Sequence, residues 1–158
     1  MSNIYIYAEQ FNNVVEPSAA EIVTLVREYA LKSGQQITML AFGEDTSAIS
    51  PQLAFDGIGV TVVKTSVSAF QDDALSGVAA DALEKLAPES VIIPASRTAR
   101  ALFSRVAVRL GVGLTADCSE LDVDEHGEFI QRKSAFGANA MCVCVEKGGP
   151  KLVTVLVG

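Results

Sequence analysis

Four arginines, Arg97, Arg100, Arg105 and Arg109, crowd one short segment directly after the apolar run Val91–Ile93 and a loop of small residues, Pro94-Ala95-Ser96-Arg97-Thr98. Guanidinium groups hold carboxylates or phosphates in two-point contacts and anchor protein interfaces. On a helical wheel, Arg97, Arg105 and Arg109 fall within about 120° of one another. Ala99, Leu102, Phe103, Val106 and Leu110 gather on another, apolar side. The arginine row is therefore a candidate contact for an anion or a partner protein, with a simply solvated face as the plain alternative. Arg100 lies apart from the other three and reads as exposed.

Ser96, Arg97 and Thr98 follow the carboxyl end of a strand, where open α/β sheets bind ligands. Ser96 or Thr98 could cap the helix, and amide groups left open there favour an anion. The loop holds no glycine, and the chain has neither a Gly-x-Gly-x-x-Gly after a strand nor a Walker-type Gly-Lys-Ser/Thr, so these three residues are only weak candidates for a nucleotide site. Asp117 and Cys118 read as part of a loop that begins at Gly111 and Gly113. A thiol there would be activated by the nearby arginines; the alternative is a buried Cys beside an Asp that caps a turn or pairs with an arginine. His126, the sole histidine, falls at a hairpin tip, a poor place for a shielded catalytic imidazole. Cys142 and Cys144 are two apart on a strand, which puts both on one face as small apolar residues. The three cysteines show no zinc spacing and no Cys-x-x-Cys, and they fit reduced thiols in the cytoplasm.

The elements that must position these groups alternate. Ile4–Ala8 reads as a strand. Pro17 then opens a helix whose Ile22, Leu25, Val26 and Tyr29 repeat at helical spacing before Gly34 stops it. Gln36–Ala41 and Gly59–Lys64 read as further strands, separated by a punctuated link at Gly43, Ser50-Pro51 and Gly57. Asp72 and Asp73 suit a helix N-terminus, and Leu75, Val78, Ala79, Ala82, Leu83 and Leu86 mark its apolar face up to Pro88. Val91–Ile93 has the continuous apolar character of a central parallel strand. Leu121–Asp124 and Glu128–Arg132 flank a turn at Glu125-His126-Gly127 and predict a hairpin. Met141–Val145 and Leu152–Val157 predict two adjacent strands joined by a tight loop at Lys147-Gly148-Gly149-Pro150. The pattern gives a single domain over residues 1–158, a three-layer α/β sandwich with a mainly parallel sheet and C-terminal β-hairpin strands.

The 158 residues are enough for one substantial core. A net charge of −7 argues against nucleic acid as a partner. The charge is uneven: residues 1–94 carry 4 basic and 12 acidic side chains, residues 95–158 carry 8 and 7. No apolar run is long enough to span a bilayer and no basic leader precedes the first strand, so neither membrane insertion nor export is expected.

From Leu110 to Cys118 the chain reads Leu-Gly-Val-Gly-Leu-Thr-Ala-Asp-Cys, and this signature, with the arginine helix before it and Phe136-Gly137-Ala138-Asn139-Ala140 after it, resembles the alpha subunit of electron-transfer flavoproteins. The resemblance implies an adenine-nucleotide-hydrolase-like, Rossmann-like fold for the N-terminal domain of such a subunit. It also implies a scaffold role against an electron-transfer flavoprotein beta subunit, with electrons passing from dehydrogenases through FAD held mainly by a further domain. On that resemblance the partner-contact candidates are Arg97, Arg105, Arg109, Thr115 and Asp117. The domain itself would carry no catalytic residue, metal or cofactor, and it could form a homodimer in isolation. Two departures stand out: Ala99 precedes Arg100 where the family commonly has Gly, and Thr154-Val155 continues into Leu156-Val157-Gly158 where the family usually has Arg-Pro-Gly. A stand-alone adenine-nucleotide module using Pro94–Thr98 is the alternative reading.

Overall fold

A computed structural model describes residues 3–127, 129–135, 140–144 and 149–157. The chain opens with β1 (Asn3–Tyr7), an apolar run buried from Ile4 onward. A small hairpin follows, β2 (Gln10–Phe11) and β3 (Val14–Val15), turned by Asn12 and Asn13 with φ of 52° and 68°. Asparagine tolerates that left-handed backbone, and two such residues in succession make the turn twist with the strands. Helix α1 (Ser18–Ser33) starts after Pro17 and ends at Gly34, whose φ of 71° closes the last turn. Then come β4 (Gln36–Gly43), the single turn α2 (Thr46–Ile49) capped by Asp45, a 3-10 turn (Ser50–Leu53) and β5 (Gly59–Lys64).

The second half adds α3 (Asp72–Leu86), β6 (Ser90–Pro94), α4 (Arg97–Leu110), β7 (Leu114–Cys118), β8 (Glu120–Val123), β9 (Phe129–Ala135), β10 (Ala140–Cys144) and β11 (Lys151–Val155). Six strands form one parallel sheet in the order β5-β4-β1-β6-β11-β7. Strands β8, β9 and β10 form a separate antiparallel meander. Side chains of successive sheet residues point to opposite faces, and each face has its own cover. Ile4, Ile6, Met39, Ile92, Val153 and Val155 pack with α1 and the meander. Tyr5, Tyr7, Leu40, Phe42, Val91, Ile93 and Leu152 pack with α3 and α4. This is the three-layer α/β architecture that the alternation predicts, with antiparallel strands in the C-terminal part.

Three expectations change. Leu114–Cys118 is an edge strand and not a loop, held by pairing with β11. The runs around Met141 and Leu152 are not neighbours: β10 pairs with β9, and β11 enters the main sheet between β6 and β7. The turn at Asn12-Asn13 is an addition that the polar stretch after Ala8 conceals. Phe136–Asn139, with the Gly137 and Asn139 of the flavoprotein-like segment, lies outside the described residues, as do the side chains of Cys142 and Cys144.

Burial also sets chemistry in the lower layer. Tyr29 of α1 is 1% exposed and meets the Phe129 ring edge-on at 4.8 Å. Burial first, and the Glu89 charge second, push its phenol up to about 12, because a phenolate loses hydration in such surroundings. The unfolded chain ionises at the ordinary value of 10, so the folded pKa is the raised one. Stability from Tyr29 is therefore fully present below pH 10 and falls as pH rises toward 12. Urea unfolding midpoints across this range are expected to drop more in the wild type than in Tyr29→Phe; identical pH profiles would remove Tyr29 as the cause.

Candidate functional site

The carboxyl ends of β1 and β6 lie side by side at the place where the chain order reverses: β1 leads outward to β4 and β5, and the next crossover returns to β6 on the other side of β1. Open α/β sheets hold ligands in such a crevice. The loop Pro94–Thr98 reaches it, and Ser96 caps α4 by accepting the Ala99 N–H at 3.1 Å. Its hydroxyl also donates to Glu9 Oε1 at 2.6 Å. Glu9 is 4% exposed, so a buried carboxylate already stands at the head of the helix. Thr98 is half-buried and Arg97 is exposed. The crevice does not fit the pyrophosphate of a dinucleotide such as FAD: the loop lacks glycine, and the incoming anion would have to displace Glu9.

Two members of the arginine row, Arg105 and Arg109, are committed to α3. Arg105 Nε lies 3.3 Å from Asp72 Oδ2 and its Nη1 3.4 Å from Asp73 Oδ1. Arg109 Nε donates to Ser76 Oγ at 2.9 Å, and its Nη2 is 3.7 Å from Asp73 Oδ1. The Arg109 guanidinium lies over Gly77, where an added Cβ would make only an ordinary contact at 3.8 Å. A groove of about 460 Å³ beside them is lined by Asp73, Ser104, Arg105, Val108 and Arg109. Asp72 and Asp73 thus do two things: they complement the amino end of α3 and they neutralise two guanidinium groups. Among the described residues, Arg97 alone of the row has no ion pair.

Arg100 is the residue whose reading changes most. Set apart on the wheel, it is not merely solvated: its Nη2 is 2.7 Å from Asp117 Oδ1. Asp117 has a φ of 59°, the left-handed region that favours glycine. Its N–H donates to Thr154 Oγ1 at 2.8 Å. The backbone kink coincides with a register shift between β7 and β11 at Val153 and Val155, as a bulge requires. The kink aims Cys118 into the core, where it is fully buried among residues of the α1 layer. This is the structural alternative for Asp117 and Cys118, since an inaccessible thiol offers no nucleophile.

Thr115 is buried and donates its hydroxyl to Gln131 Oε1 at 2.9 Å, tying β7 to β9. His126 is at the exposed hairpin tip, its Nε2 3.5 Å from the neighbouring Glu125. The structure therefore brings Arg100 to Asp117 and Ser96 to Glu9, but it does not gather Arg97, Arg105, Arg109, Thr115 and Asp117 into one cluster. Sequence reasoning misses Glu9 and Thr154. Glu9 carries one legible signal, an acid directly after an apolar strand; Thr154 sits inside an apolar run and carries none. Among the described residues no group of three or more His, Cys, Asp or Glu is placed to hold a metal ion, and no helix is long and apolar enough to cross a membrane.

The family model of the electron transfer flavoprotein domain matches residues 4–158. The chain is 32% identical over 160 residues to the electron transfer flavoprotein subunit alpha of Thermoanaerobacterium thermosaccharolyticum, covering 99% of this chain and 48% of that protein. It is 31% identical over 160 residues to the subunit of the same name from Clostridium acetobutylicum, covering 98% and 47%. It is also 30% identical over 155 residues to the lactate dehydrogenase (NAD(+),ferredoxin) subunit LctC of Acetobacterium woodii, covering 96% and 37%. The chain spans less than half the length of each of these relatives.

The geometry at Asp117 makes a separable prediction. Its ion pair is half-exposed and contributes little, whereas its backbone shape excludes branched side chains. Asp117→Gly is expected to stay within ~1 kcal/mol of wild type in urea unfolding, and Asp117→Val to lose ~2 kcal/mol or more. Equal losses would mean that the Arg100 pair, not the kink, is what this position supplies.

Proposed function

The chain belongs to the electron transfer flavoprotein domain family, and we propose that it is the scaffold and subunit-contact domain of an alpha-type subunit. In this reading the complete cytoplasmic assembly pairs it with a beta subunit, takes electrons from dehydrogenases and passes them on through FAD. The domain contributes no catalytic residue. Its redox role is to hold the flavin-bearing parts of the assembly in place, and the flavin supplies the electron chemistry when bound.

The observation that carries this reading is where the signature residues go. Arg100, Asp117 and Cys118, the groups best suited to chemistry, are engaged in closing the β7 edge of the sheet. Arg105 and Arg109 join α4 to α3. A segment whose one thiol is buried and whose arginines, Arg97 apart, are taken up by acids and a serine of the same chain supports a module that offers shape to a partner. Relatives named as electron transfer subunits support the same class, among them the acryloyl-CoA reductase electron transfer subunit beta of Anaerotignum propionicum, 26% identical over 160 residues. Arg97, exposed at the amino end of α4 and without an ion pair among the described residues, is the guanidinium most available to a partner carboxylate.

Capture by the cognate beta subunit tests the reading. Arg97→Glu is expected to weaken the complex about tenfold, equivalent to ~1.4 kcal/mol, with the wild-type domain retaining no FAD of its own after desalting. Undiminished capture by Arg97→Glu removes this end of α4 from the interface. One flavin retained per isolated domain would instead make the chain a cofactor carrier.

A further inference from the structure

Glu9 lies two residues beyond the end of β1, is 4% exposed and accepts the Ser96 hydroxyl proton at 2.6 Å. The same oxygen of Ser96 accepts the Ala99 N–H, so one serine links the carboxylate to the first turn of α4. That turn holds Arg97 and Arg100 and no acidic residue, an arrangement that the helix dipole disfavours at its positive end. The negative charge missing from the turn arrives from the link after β1, 87 residues before Ser96 in the chain. Its field reaches the surrounding crevice: the Tyr7 phenol is pushed up first by burial and then by Glu9.

A carboxylate and a phosphate monoester ask the same of a helix amino end, namely complementary charge and hydrogen-bond donors for their oxygens. We propose that Glu9 is the resident anion of this crevice: it takes the place at the head of α4 that a ligand phosphate takes in switch-point sites, and so closes the domain to phosphate-bearing ligands. It excludes them by occupation, because its buried side chain already holds the Ser96 hydroxyl at 2.6 Å, and by charge, because a second anion beside a buried carboxylate is repelled. One residue then separates a ligand-binding α/β domain from a scaffold. The inference rests on the reading of the chain as a module without its own ligand and names the residue that makes it one.

The test compares thermal melts of wild type, Glu9→Gly and Glu9→Gln in inorganic phosphate and in chloride at equal ionic strength. Wild type sets the general salt effect of phosphate. Glu9→Gly is expected to gain a further rise in Tm of roughly 3–6 °C at ten times its phosphate dissociation constant. Glu9→Gln fills the same space and should show only the wild-type response. If Glu9→Gly is unfolded in chloride, phosphate should restore its circular dichroism by the same linkage. An equal phosphate response in all three proteins, or a Glu9→Gly chain that stays unfolded in saturating phosphate, overturns the proposal. Such a failure leaves subunit capture by the wild type untouched, whereas AMP bound by the wild type in this crevice would overturn both readings.

Discussion

The main sheet is completed from its interior. Strand β11 lies between β6 and β7 and runs parallel to both, so β7 joins the sheet through residues far along the chain. Leu152, Val153, Thr154 and Val155 are each fully buried, and they serve both faces. Leu152 belongs to the α3–α4 layer, Val153 and Val155 to the α1 layer. Thr154 uses its hydroxyl to receive the Asp117 amide. The kink at Asp117, the burial of Cys118 and the Arg100 pair all presuppose that β11 is seated. Leu156 extends the tie, donating its N–H to the Cys118 carbonyl at 3.0 Å. Such a contact carries a loop-closure cost that local helices do not. The meander between β7 and β11 offsets part of it by packing on α1 through Tyr29 and Phe129.

The legible part of this fold is the part where local and global signals agree. Strands β1, β4 and β6 are bounded by turn residues and buried on both faces, and α1, α3 and α4 repeat with a single apolar side. Gly34 and Gly111 mark helix ends because both take a left-handed backbone there. The signals conflict at β11. Gly149-Pro150 has the chemistry of a tight turn, which favours a hairpin with the preceding strand. The unbroken apolar run of Leu152–Val155 instead has the character of a strand covered on both sides, the same signal that identifies β6. Burial outweighs the turn, because a hairpin position on the small meander would leave one face of that run in water.

The candidate site is less legible for a different reason. A helical wheel gives the angle of each arginine but not the element that lies opposite. Arg105 and Arg109 share a face, and that face meets the amino end of α3, where Asp72 and Asp73 stand. Arg100 points elsewhere, and elsewhere is the bulged end of β7. Neither outcome is encoded in the spacing of the arginines, since the first depends on which helix lies beside α4 and the second on where the end of β7 falls. Glu9 is hidden for the same reason: its partner is a cap serine on a helix that only the β1–β6 adjacency brings near.

The charge asymmetry along the chain acquires a structural meaning from these pairs. An acidic first part and a more basic second part suggest an oriented external field. In the folded protein part of the asymmetry is matched across the fold. Arg105 and Arg109 of the second part face Asp72 and Asp73 of the first, and Lys151 at the start of β11 faces Glu89 just before β6. Lys32 of α1 reaches Asp122 of β8 in the opposite sense, and Asp122, with Arg132 as its strongest hydrogen-bond partner, is held below the ordinary carboxylate range. Individually these half-exposed pairs contribute little. Their placement matters more than their strength, because each joins an element of the early chain to one of the late chain. Wrong pairings of helices would set acid against acid or leave the arginines of α4 unmatched, so the uneven charge serves the register of the domain's own halves. Arg97 stands outside that internal matching, at the exposed amino end of α4 and beside the one crevice where an acid is already in residence.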